Sequence, residues 1–264
     1  LVTVHLVGAG PGDPGLITAR GAELLATAQV VVHDRLANSA LLDLAPASAE
    51  RISVGKDPDR ASPSQQEINA LLVDVGRRFE RVVRLKGGDP YVFARGAEEV
   101  AALRAAGVDV DVVPGVTSAI AAPAAAGIAV TRRYSATSFT VVTGHEDPAK
   151  ASAIDWGAVA RVGGTIVILM GVARIASITE QLVAGGLDPQ TPAAAIRWGT
   201  RADQEVVRCT LGELPSAPLR SPSVIVVGDV VGDDLAAREP RRLDGLRVVV
   251  TRAASQASEL SVGL

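Results

Sequence analysis

Apolar residues along the chain gather in short runs, set apart by glycine, proline and charged residues. Thr3 to Val7 reads as a strand, and Leu16 to Ala28 places Ile17, Ala19, Leu24, Leu25 and Ala28 at helical spacing. Further strands are expected at Gln29 to Val32, Arg51 to Lys56 (running into a loop), Phe79 to Leu85 and Val108 to Val113. A Ser-x-x-Glu capping box, Ser64 to Glu67, opens a helix from Ile68 to Val75. Glu98 to Arg104 predicts another helix, and Thr117 or Ser118 can cap an alanine-rich one that runs to about Ala126. Strands alternating with helices predict a mostly parallel sheet. Glycine loops follow the first, fourth and fifth strands, which places them on one edge of that sheet.

Periodicity fades over Thr131 to Ser135, which reads as a linker, and a second α/β unit follows. Its strands are expected at Phe139 to Thr143, Thr165 to Met170, Ala193 to Arg197, Glu205 to Thr210 and Ser223 to Val227, with an amphipathic helix over Ile175 to Ala184. So many short strands predict a mixed sheet. The reading is an α/β protein of two domains, 1–130 and 136–232, followed by a charged linker at 233–242. Arg247 to Val250 starts a new strand whose unit cannot bury a core within residues 243–264, so a further domain is expected to begin there.

Hydrophobic residues at 48% against 21% charged describe a globular chain, and only 3% aromatics leave the core to Val, Leu, Ile and Ala. The longest apolar run, Ala119 to Val130, is interrupted by Pro123 and Gly127 and is too short to span a bilayer. With no signal-peptide pattern either, a cytoplasmic protein without membrane contact is expected. A net charge of −3 argues against a nucleic-acid surface. Cys209 is the single cysteine, and His5, His33 and His145 lack ligand spacing, so no metal site is expected.

Arg84 to Gly96 carries the densest chemistry. Gly87 and Gly88 let a ligand approach the backbone and can supply free N–H groups, Asp89 offers a carboxylate, and Pro90 stiffens the exit. Tyr91, Phe93, Arg95, Glu98 and Glu99 then follow, more than a plain turn requires. The loop Gly8 to Pro14 begins like a dinucleotide fingerprint, but Asp13 stands where the last glycine belongs, and Pro11 and Pro14 remove N–H donors. A nicotinamide-dependent oxidoreductase is therefore the weaker reading.

Six stretches in order, Gly8 to Asp13, Val31 to Leu36, Val54 to Lys56, Arg84 to Gly96, Val113 to Ala119 and Thr143 to His145, resemble the tetrapyrrole methylase family. The resemblance covers about Val4 to Val231 and implies two α/β domains with S-adenosyl-L-methionine held in the cleft between them, S-adenosyl-L-homocysteine as product, and a homodimer. It implies a cofactor site of Pro11, Gly87, Gly88, Asp89, Val92, Thr117, Ser118, Met170 and Gly199. Asp34 and Lys56 match positions given acid–base roles, Arg95 and Glu98 fall where catalytic contacts are expected, and Arg35 and Arg133 where substrate is held. The substrate implied is a small reduced tetrapyrrole with eight carboxylates, which arginine forks suit. Methylation of uroporphyrinogen III at C2 and C7 to precorrin-2, on the sirohaem and cobalamin routes, is the step favoured; a later precorrin methylation is the alternative. A base must remove a carbon-bound proton, and Asp34, Glu98 and a perturbed arginine all stay open for that role. Arg132 and Ala97 depart from the histidine and glycine usual in the family. The tail from Leu243 to Leu260 resembles the opening of a uroporphyrinogen-III synthase domain.

Overall fold

In the computed structural model, which describes residues 3–55, 63–145, 154–233 and 235, alternation along the first strands sorts side chains onto two faces. The strands are β1 (Thr3–Gly8), β2 (Val30–His33), β3 (Glu50–Ser53), β4 (Arg81–Lys86) and β5 (Asp109–Val113). They form one sheet in the order β3-β2-β4-β1-β5, parallel throughout. The helices are α1 (Ala19–Ala26), α2 (Gln65–Arg78), α3 (Gly96–Ala105) and α4 (Ser118–Ala125). Val4, Leu6, Val32 and Val82 face Leu72 and Val75 of α2 and Val100 and Leu103 of α3. Val7, Val31, Val83 and Leu85 pack on the opposite face against Leu24 and Leu25 of α1. Each such buried aliphatic side chain contributes about 1.5–3 kcal/mol.

Caps set the helix ends. Thr18 accepts from the Gly21 amide at 3.1 Å, so α1 starts later than its apolar spacing suggests and Pro14–Leu16 forms a separate 3-10 turn. Ser64 and Glu67 make the expected capping box. Of the two candidate caps for α4, Thr117 holds the position.

The second sheet is mixed, as its strand density predicts. It comprises β6 (Phe139–Thr143), β7 (Thr165–Leu169), β8 (Pro192–Arg197), β9 (Glu205–Thr210) and β10 (Ser223–Val227), in the order β6-β7-β10-β8-β9. Only the β6–β7 pair is parallel. One face is covered by α5 (Trp156–Val162) and α6 (Ile175–Ala184). Periodicity does not foresee α5, which is short, contains Gly157 and depends on an Asp155 cap.

The other face is covered by α4, which reaches over from the first sheet. Ala119, Ala122 and Ala126 pack against Val167, Leu169, Ile196 and Val226. Methyl side chains permit a close approach: a Cβ added to Gly199 would lie 2.4 Å from that of Ala122. Arg208 of β9 donates to the carbonyls of Ala126 at 3.0 Å and Val231 at 2.6 Å. The stretch read as a linker is a tight turn closed by an Arg132–Ala136 bridge, with Arg132 paired to Asp233. The expected new strand and domain at 243–264 lie outside the described residues.

Candidate functional site

Three strand ends meet at the carboxyl edge of the first sheet. A Cβ on Gly8 would lie 2.4 Å from Gly115 Cα and 2.7 Å from the Gly88 carbonyl oxygen, so backbone touches backbone there. Gly10 and Gly88 exchange two amide hydrogen bonds of 3.2 and 2.8 Å. The Gly88 N–H is thus spent on the Gly10 carbonyl and is not the free donor that the glycine loop suggests. Asp89 likewise turns its carboxylate inward, accepting from the amides of Tyr91 at 2.8 Å and Gly115 at 3.0 Å. Asp13, which breaks the dinucleotide pattern, caps the next turn by accepting from Gly15 at 2.8 Å.

Over this edge lies a cleft of about 560 Å³ between the two sheets, a size typical of small-molecule sites. Pro11, Gly87, Gly88, Asp89 and Val92 line it from the first half, with Thr117 and Ser118 at the start of α4. Met170 and Gly199 line it from the second half, beside Leu169, Ile196 and Val224. Asp34 and Arg35 border the same space. Met170 is 49% exposed, so its thioether is not core packing.

Backbone strain concentrates here. Phe93, Met170 and Trp198 line the cleft with φ of 52°, 56° and 49°, and Thr200 next to it has 75°. Left-handed backbone in such side chains costs of order 1–3 kcal/mol each and marks functional loops. A Cβ on Gly88 would meet only Thr117 Cα at 3.9 Å and Ser118 N at 4.0 Å. A gap one side chain deep therefore separates this loop from the start of α4. Glycine loops with Thr117 and Ser118 bring polar backbone and hydroxyl groups to this cleft, and Ala122, Leu169, Ile196 and Val224 give it an apolar wall.

Three of the expected residues do not line the cleft. Arg95 and Glu98 form an ion pair of 2.6 Å, with their side chains 57% and 51% exposed. Hydrogen bonding from Arg95 holds the Glu98 carboxyl below its ordinary value. Arg133 is exposed and stacks its guanidinium 5.6 Å from the Tyr134 ring. Lys56 lies outside the described residues.

Other features were not anticipated. Arg201 borders the cleft, lies 4.3 Å from the Trp198 ring centre and is held by Asp203. Beneath the cleft, Arg84, Lys86 and Glu99 form a buried charged cluster. The signal for it was two basic residues, Arg84 and Lys86, on the strand face that Val82 gives to the core. Burial, and after it the Arg84 guanidinium, push the Lys86 ammonium below its ordinary value against the pull of Glu99 and Asp34. Among the described residues no acidic, histidine or cysteine cluster could hold a metal.

A parallel sheet with glycine loops at its carboxyl edge, facing a mixed sheet across a walled cleft, defines a two-sheet α/β protein built to enclose a small ligand. The chain belongs to the Tetrapyrrole (Corrin/Porphyrin) Methylases, which it matches over residues 3–215. It is 51% identical to an S-adenosyl-L-methionine-dependent uroporphyrinogen III methyltransferase of Methanosarcina barkeri over 86% of this chain and 91% of that protein. It is 49% identical to the siroheme synthase of Tolumonas auensis over 86% of this chain, spanning 49% of that longer protein. Among solved structures, uroporphyrin-III C-methyl transferase from Thermus thermophilus complexed with S-adenyl homocysteine superposes with a TM-score of 0.77 at 40% identity. That match covers 87% of this chain and 99% of the other.

Proposed function

We propose that this protein is an S-adenosyl-L-methionine-dependent C-methyltransferase that methylates uroporphyrinogen III at C2 and C7, giving precorrin-2. The observation that carries this reading is the cleft between the sheets, in a chain 51% identical to an enzyme named for this reaction. The cofactor, when bound, supplies an electrophilic methyl group on a sulfonium. Gly87, Gly88 and Asp89 shape the loop that it lies against, with the Gly88 amide and the Asp89 carboxylate spent within the fold; Thr117 and Ser118 offer hydroxyls, and Pro11, Val92, Met170 and Gly199 form the walls that exclude water. Alignment of this kind is worth roughly 7–11 kcal/mol in well-oriented reactions. Arg35, at the cleft, binds substrate carboxylates, and Arg133, exposed outside it, serves carboxylates at the periphery of the substrate. Arg95 and Glu98 act as a pair on the substrate, and Asp34 and Lys56 handle the proton that must leave carbon.

The two sheets support a division into domains at 1–130 and 136–232, with α4 as the shared layer. The homodimer is proposed from the family resemblance, the cytoplasmic location from the globular composition of the sequence, and the synthase-like domain from the likeness of Leu243 to Leu260 to the opening of such a domain. No helix among the described residues is long and apolar enough to cross a membrane.

Calorimetry with S-adenosylmethionine, S-adenosylhomocysteine and NADP tests the cofactor, and mass spectrometry of uroporphyrinogen III turnover tests the reaction. The expected result is binding of the first two ligands and a gain of two methyl groups. Binding of NADP with no adenosylmethionine signal would overturn the reading. Methylation of a later precorrin but not of uroporphyrinogen III would move the enzyme along the same pathway.

A further inference from the structure

Arg84 and Lys86 project from the same face of β4, and they are 1% and 2% exposed. Glu99, which is fully buried, accepts from Lys86 Nζ at 2.7 Å and from Arg84 Nη2 at 3.2 Å through a single oxygen, Oε1. Its other oxygen takes no hydrogen bond among the described residues. One carboxylate therefore faces two buried cations. The second negative charge comes from Asp34, at the end of β2, whose Oδ1 lies 2.6 Å from the same Arg84 Nη2. Asp34 is the member of this group that reaches the cleft, with its side chain 30% exposed.

Stability does not explain the arrangement. Well-packed aliphatic side chains usually stabilise a core as well as a buried ion cluster does, because each charge loses its hydration. One step down the same face of β4 the chain uses that solution: Val82 packs with Val4, Val32 and Leu103. Charges replace aliphatics only where the strand reaches the cleft. A single guanidinium nitrogen then joins the buried carboxylate to the exposed one. A planar guanidinium, clamped by Glu99 behind it, leaves Asp34 little rotational freedom.

We propose that Arg84, backed by the Lys86–Glu99 pair, is the positioning residue of the reaction. It fixes the Asp34 carboxylate at the cleft wall with Oδ1 engaged, while Oδ2, which no described residue hydrogen-bonds, is left to take the carbon-bound proton that the substrate loses once the neighbouring ring carbon has been methylated. The inference rests on the methyltransferase reading, and parental activity on uroporphyrinogen III checks that reading separately.

The test is a double-mutant cycle of Arg84→Met and Asp34→Asn, with cofactor affinity, KM and kcat measured for each variant. Loss of Arg84 leaves Lys86 and Glu99 as a neutral pair, so a folded protein is expected. Arg84→Met should lower kcat at least ~30-fold with KM and cofactor affinity within about threefold, the pattern of an interaction made in the transition state. The double variant should be no slower than Asp34→Asn alone. A kcat for Arg84→Met within about threefold of the parent, or losses that multiply in the double variant, overturns the proposal. If Arg84→Met does not fold, Arg84→Lys decides. It keeps the charge without the fork, so reduced kcat at unchanged cofactor affinity supports the proposal and parental kcat refutes it.

Discussion

Glu99 and Glu98 are neighbours in sequence with opposite environments. Glu99 is fully buried against Arg84 and Lys86, whereas Glu98 is half exposed beside Arg95. Removing the charge of Glu99 leaves two like charges in the core. We expect Glu99→Gln to destabilise the fold by about 3–5 kcal/mol in urea unfolding, the usual cost of breaking a buried ion pair. A loss under about 1 kcal/mol would show that water reaches the cluster. Arg95→Ala, by contrast, breaks an exposed pair that is worth at most about 1 kcal/mol. If Arg95 and Glu98 act on substrate, the same variant lowers turnover at least ~30-fold at near-parental cofactor affinity. Stable protein with turnover within threefold would return the pair to the solvated surface. The Arg95–Glu98 pair was legible in the sequence from its i,i+3 spacing, although Arg95 stands just before α3 with a φ of 59°. The burial of Glu99 was not, because it depends on which way α3 is rolled when Val100 and Leu103 dock on the sheet.

At the scale of elements, strands were more legible than helix ends. Runs such as Val82–Val83 and Ile166–Val167–Ile168 admit few placements, whereas the start of α1 turns on one hydroxyl at Thr18. The glycine loops were legible as a group on one edge, but their purposes differ. Gly8 and Gly115 are required by backbone contact, whereas Gly88 has ordinary space around it and a φ of 68°. Two substitutions separate these cases. Gly8→Ala drives a methyl into the Gly115 and Gly88 backbone and should cost roughly 1–3 kcal/mol of stability as overpacking. Gly88→Val should cost a similar ~1–3 kcal/mol through its left-handed φ, yet also abolish S-adenosylmethionine binding by filling the gap before α4. Circular dichroism melts and calorimetry on the two variants make the comparison. A Gly88→Val protein that binds the cofactor normally would show that this loop only turns the chain.

Across the whole molecule, the cleft depends on contacts between residues far apart in the chain. The Asp13 amide donates to Thr200 Oγ1 at 3.0 Å, a contact 187 residues apart in sequence that ties the first glycine loop to the strained loop after β8. Gly12 lies against the Arg201 stem, where an added Cβ would meet Cγ at 2.8 Å, and the Gly12 carbonyl accepts from Asn38 at 2.7 Å. No local pattern reveals such a pairing, since Asp13 and Thr200 each read as ordinary turn residues until the sheets are placed. Two roles for the clasp differ in magnitude. As a stabilising contact it is weak: Asp13 is exposed, so water can replace the hydroxyl, and one such bond contributes about 0.5–1.5 kcal/mol or less. As a device holding the cleft closed over a ligand, it acts on affinity directly. Thr200→Val keeps the shape and the β-branch and removes the hydroxyl that accepts from Asp13. We expect unfolding free energy to change by under about 1 kcal/mol while S-adenosylmethionine affinity falls roughly 3- to 10-fold, with the loss in the dissociation rate. Unchanged affinity would mean that packing of α4 against the second sheet is enough to hold the two halves at the cleft. A large loss of stability would mean that the clasp belongs to the fold and not to the site.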